Sequence, residues 1–282
     1  MTRLAELLGL AGGEGAALVL ALALGLALLA TAAIGVPAGF AVLRGLGPRT
    51  PLPAAPWGAL PVLAVVALGA LILFAAALAL DEPGTLAGLW VVVLVLGLPA
   101  HLALLFAAAH RPAGPAALGL SRGGNARAAL AGAIAYLLVL PAWYGWGETW
   151  GVLVALAGQE IAAQEVLVGI LDLEGGKLAQ AILLAVLVVP LLEETLFRGF
   201  LQPLLARHLG RGGGIAATAL VWALLHDFLL APPIFALGLV LGAIQDRTGR
   251  LASAWAVHGL HNGLTLALSL LASEVLRPVS SP

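Results

Sequence analysis

Two adjacent carboxylates and a guanidinium, Glu193, Glu194 and Arg198, interrupt a stretch that is otherwise apolar from about Leu178 onwards. On insertion scales one ionised group at a bilayer centre costs roughly 2.5–3.5 kcal/mol. Three such groups therefore need partners, a water-filled cavity or a chemical task. Two later apolar stretches are also marked. His226 and Asp227 follow Trp222, and His258, His261, Asn262 and Thr265 recur at i, i+3, i+4 and i+7. That spacing puts four polar groups on one helical face, which in lipid must look at protein or water.

A carboxylate and an imidazole sharing a water can act as general base and drive its attack on a carbonyl. A second imidazole and an asparagine amide can donate hydrogen bonds to the oxyanion that forms. Alternatively, one Glu and two His, here Glu193, His226 and His258, are a familiar zinc set with an open position for water. Both routes end in amide hydrolysis by water, since no motif positions a serine nucleophile and the chain has no cysteine.

These residues sit in a chain of 282 residues that is 62% hydrophobic and 10% charged. Soluble proteins run at about 45–50% and about 25%, and the mean hydropathy of +1.08 points the same way. The expectation is an all-α, polytopic membrane helix bundle. A net charge of −1 without a basic tract gives no sign of nucleic-acid binding. The lack of cysteine excludes disulfides and thiolate metal ligands.

A span takes about 20 apolar residues. Eight candidates follow: Ala16–Leu43, Trp57–Leu80, Leu86–Ala109, Ala128–Trp146, Leu178–Phe200, Gly212–Ala231, Pro232–Gln245 and Leu251–Ala272. The first reads as a retained span, since a secretory signal has a shorter apolar core. Gly151–Leu171 carries Gln159, Glu160, Gln164 and Glu165 on one face and reads as an interfacial amphipathic helix. The chain thus divides into 1–177, with four spans and that segment, the chemistry-bearing spans of 178–273, and a tail of 274–282. If the spans alternate, nine arginines (44, 49, 111, 122, 127, 207, 211, 247 and 250) share one side, against Arg3, Lys177 and Arg277 on the other. The positive-inside rule makes the rich side cytoplasmic and puts both termini outside the cytoplasm of a multi-pass cell-membrane protein. Dropping the short seventh span would move Arg247 and Arg250 to the wrong side. Counted from the basic loops, Glu193, His226, His258 and Asn262 lie about seven to fourteen residues in, a depth of roughly 10–21 Å.

Glu193-Glu194-x-x-x-Arg198, the aromatic-x-x-x-His of Trp222 to His226, and His258-x-x-x-Asn262 resemble the three motifs of the CPBP family. These are the CAAX-type prenyl-protein endopeptidases and bacteriocin-processing relatives, also called the ABI family. The segment Asp246–Leu251 is similar to the family's lead-in to its third motif. The resemblance covers roughly 189–265 and implies an eight-helix intramembrane endopeptidase acting on a membrane-associated peptide or protein near the cytoplasmic side. It implies that Glu193 and His226 activate the water and that His258 and Asn262 hold the oxyanion, with Glu194, Arg198 and Trp222 in support. Glutamate-dependent and zinc-dependent accounts both fit the residues, the latter with Glu193, His226 and His258 as ligands. The family's second motif usually begins with Phe, and here it begins with Trp222.

Plainer readings exist for each part. Glu193, Glu194 and Arg198 could be a buried ion cluster, His226 a core histidine bonded to Asp227 or to a backbone carbonyl, and His258 with Asn262 interhelical hydrogen-bond glue. Together they would leave a non-catalytic scaffold or immunity-type protein. Intramembrane Glu and His also serve proton-coupled transporters, though the polar groups cluster at one depth and no inverted repeat is visible. His261 fits no motif position and is expected to pack or line the pocket. His101, His110 and His208 are expected to be core or interfacial, and Trp143, Tyr144, Trp146 and Trp150 to form an interfacial aromatic belt.

Overall fold

A computed structural model describes residues 12–47, 55–79, 85–120, 123–161 and 165–276. Among the described residues every regular element is helical. In order they are α1 (Gly12–Ala30), α2 (Ala32–Arg44), α3 (Ala59–Ala79), α4 (Thr85–Ala109), α5 (Ala113–Ala117), α6 (Asn125–Leu156) and α7 (Glu165–Leu171). Next come α8 (Gly175–Leu183), a first π turn (Leu184–Val188), α9 (Val189–Glu194) and a second π turn (Thr195–Leu201). The last described elements are α10 (Gln202–Leu224), α11 (Ala231–Thr248) and α12 (Leu251–Leu276). Helices dominate because a backbone in lipid must satisfy its own N–H and C=O groups.

Five runs among the described residues are long and apolar enough to cross a membrane: Gly15–Arg44, Ala59–Ala76, Thr85–Ala109, Asn125–Leu156 and Gly175–Leu224. The chain is therefore an all-α, multi-pass membrane bundle. The last run holds two legs, because Gly210 (φ 71°, ψ 171°) breaks it in a backbone region that glycine enters without steric cost. Central α6 packs against α1, α2, α11 and α12, while α10 and α11 form a close hairpin. Tyr136, Phe197, Trp222, Leu237, Leu241, Ile244 and Val257 make the core under the polar cluster.

Three boundaries differ from the sequence expectation. α6 continues to Leu156, so Gly151–Leu171 is no single interfacial helix: its first part extends the fourth span and Glu165–Leu171 is a short separate helix. α10 stops at Leu224, so His226 and Asp227 lie in the turn before α11 and outside any helix. The tail boundary at 274 falls inside α12. Arg3, Arg49, Arg122, Gln164 and Arg277 lie outside the described residues.

Candidate active site

The two π turns flank the glutamates. A π turn widens the helix and loosens its own hydrogen bonding, and such turns recur at functional sites. In lipid the carbonyls so loosened need donors, and neighbouring helices supply them. Asn262 Nδ2 donates to Ala185 O at 2.9 Å and Trp255 Nε1 to Leu187 O at 2.9 Å. Gln245 Nε2 donates to Arg198 O at 3.0 Å and Trp57 Nε1 to Phe200 O at 3.1 Å. The irregular helix is thus built into its surroundings on both sides of the acids.

Adjacent in sequence, Glu193 and Glu194 have different surroundings. Glu194 is fully buried. Its Oε1 accepts from Arg198 Nη1 at 3.0 Å and from His258 Nδ1 at 2.9 Å. Arg198, also fully buried, reaches Gly238 O through Nη2 at 3.4 Å, and its guanidinium stands 4.4 Å from the centre of the Trp222 ring. That stacking is a cation–π contact in a desolvated setting. The side chain of Glu193 keeps 15% of its surface exposed, and its Oε2 lies 3.8 Å from His258 Nε2. Its hydrogen bond comes from Trp222 Nε1, at 3.0 Å.

Because a carboxylate accepts, His258 donates from Nδ1 to Glu194, and its Nε2 faces Glu193. His226 donates from Nδ1 to Trp222 O at 2.9 Å, the carbonyl four residues back. Both imidazoles meet the Trp222 ring edge-on, with centroids at 5.2 Å for His226 and 5.3 Å for His258. Glu193, Arg198, His226 and His258 therefore converge on Trp222, and Glu194 is bonded to two of them. Asn262 stands one turn past His258 on α12, with one amide hydrogen committed to Ala185 O.

The remaining polar residues fall around this cluster. Asp227 accepts from Leu229 N at 2.8 Å, which closes the turn, so it is a turn residue and no partner of His226. His261 bonds Tyr136 OH at 2.6 Å and packs against the Trp143 ring, with centroids 4.4 Å apart, which is a packing role. His101, His110 and His208 are exposed. Trp143 and Trp150 give their indole protons to Pro233 O at 3.0 Å and Leu229 O at 2.7 Å, so these two members of the expected belt hold the α10–α11 turn. The sequence reading missed Gln202, whose Nε2 donates to Gly242 O at 3.2 Å. Its signal was present, since Glu194, Arg198 and Gln202 run at i, i+4 and i+8 along one face.

Among the described residues no group of three or more His, Asp or Glu is placed to hold a metal ion. Glu193, His226 and His258 are thus not gathered as such a group, although the Nδ1 bonds of the two imidazoles leave each Nε2 uncommitted.

Residues 175–264 match the family described as Type II CAAX prenyl endopeptidase Rce1-like. The match spans all three motifs. It bears out the resemblance read from them, and it supports a CAAX-type intramembrane endopeptidase in general. No curated protein and no solved structure gives a significant match.

Proposed function

We propose that the chain is an intramembrane endopeptidase that cleaves a membrane-associated peptide or protein near the cytoplasmic side, using water activated without a metal. The termini then lie outside the cytoplasm, as the arginine distribution asks. Glu193 takes a proton from water, with His226 completing the grip on it, while the water oxygen bonds to the scissile carbonyl carbon. The oxyanion is held by Asn262 and by an Nε2–H of His258, whose Nδ1–H is committed to Glu194. As the C–N bond breaks, the proton on Glu193 passes to the leaving amine, which leaves a new carboxylate and a new amine. Glu194 and Arg198 keep His258 oriented and neutralise one another.

One observation carries this reading. In a cluster whose other ionisable members are buried or tied to protein acceptors, Glu193 is partly exposed and has one oxygen bonded to Trp222. A purely structural ion cluster would be complete with Glu194, Arg198 and His258. The second carboxylate makes sense as a reactive group.

The test is cleavage of a quenched-fluorescence peptide in detergent by wild type and Glu193→Ala, each with and without a strong chelator. A general base contributes about 10²–10⁴-fold, so the variant should lose that much turnover. Wild-type cleavage should be indifferent to the chelator. Undiminished turnover in Glu193→Ala would sink the reading, and chelator-sensitive cleavage would replace it with a metal-dependent one.

A further inference from the structure

We infer that the indole N–H of Trp222 is a positioning group for the proposed base: it pins Glu193 Oε2 and leaves Oε1 as the oxygen that takes the proton from water. This rests on the peptidase reading given above. Trp222 is 3% exposed, so its indole proton needs a protein acceptor. The acceptor is Glu193 Oε2 at 3.0 Å. That same oxygen faces His258 Nε2 at 3.8 Å, so both neighbours fall on Oε2.

Trp222 is itself held. Its face carries the Arg198 guanidinium at 4.4 Å, and its backbone carbonyl accepts from His226 Nδ1 at 2.9 Å. A ring fixed in this way transmits its orientation to the carboxylate through one bond. Hydrogen bonding to one oxygen of a carboxylate fixes the plane of the group and with it the direction of the other oxygen's lone pairs. A base placed within half an ångström of its working geometry needs such support from residues that are themselves locked. Phenylalanine, the usual first residue of the motif in the resembling family, has a ring of similar role but no donor. In this chain the bond therefore depends on the indole.

The experiment compares wild type with Trp222→Phe, and with Trp222 replaced by its benzothienyl isostere, in which sulfur stands for N–H. The cleavage assay is combined with indole proton–nitrogen NMR spectra of the full chain in detergent. Expected is a fall in kcat of tenfold or more in both variants, with KM within about twofold of wild type and a wild-type melting temperature for the isostere. The indole resonance that vanishes in Trp222→Phe should move when Glu193 is changed to Ala. Full kcat in the isostere overturns the assignment. So does a Trp222 resonance indifferent to Glu193→Ala, a readout that needs no turnover and so remains decisive if wild type cleaves nothing and the peptidase reading fails.

Discussion

Helices α3 and α4 run through the apolar layer as plain α-helices, and their leucines at 60, 63, 71, 94 and 98 point outward. His101 is the one ionisable side chain between Ala59 and Ala79 or between Thr85 and Ala109. The run from Gly175 to Leu224 is different, with two π turns, a glycine break and two glutamates with an arginine close together. A regular helix satisfies its own backbone and asks little of its neighbours. A widened helix needs donors from outside, and Asn262, Trp255, Gln245 and Trp57 are those donors. Irregularity and polar neighbours therefore occur together.

The comparison can be broken at its strongest point by Arg198→Met. That change leaves Glu194 buried beside His258 without its cation, and breaking one side of a buried pair costs about 3–5 kcal/mol. Unfolding in a denaturant-titrated detergent should show a loss of that size, partly recovered by adding Glu194→Gln. A loss below about 1 kcal/mol would mean that the cluster is hydrated and the two regions are less different than drawn.

A matched pair of glycine changes sharpens it. A Cβ on Gly259 would stand 2.6 Å from Val186 O, between the two bonds that α12 makes to the first π turn, whereas a Cβ on Gly88 in α4 meets nothing within 4 Å. Gly259→Ala should cost about 1–3 kcal/mol through overpacking. Gly88→Ala should be neutral or gain up to about 1 kcal/mol from helix propensity. Equal effects on melting temperature would erase the distinction. The smallest effect is expected for Leu71→Ala in α3, where the side chain is 63% exposed. It should change stability by no more than about 0.5 kcal/mol and leave cleavage as it was.

Much of this was legible from residue type alone. Polar groups are expensive in lipid, so Glu193, Glu194, Arg198, His258 and Asn262 announce themselves, and the structure brings Glu193, Arg198, His258 and His226 to Trp222, with Glu194 behind them and Asn262 bonded to Ala185. The π turns were not legible: Leu184–Val188 is as apolar and helix-compatible as its neighbours, and Arg198 and Gly199 in Thr195–Leu201 signal a polar site and a close approach and not a widened turn. What widens them is a set of donors far away in the chain. The end of α10 at Leu224 had a signal in Asp227 and in Pro232 and Pro233, which suit a turn and the first positions of a helix. Trp143 and Trp150 look like interface anchors until their acceptors are known. Those acceptors lie 90 and 79 residues along the chain.

The bonds from Trp143 and Trp150 have one more consequence. Residues 175–264 carry every residue of the three motifs. The turn that presents His226 is nevertheless moored to α6, which lies wholly before residue 175. The region of recognisable sequence is thus smaller than the part that must fold together, and a fragment cut at its boundary would carry His226 on an unmoored hairpin.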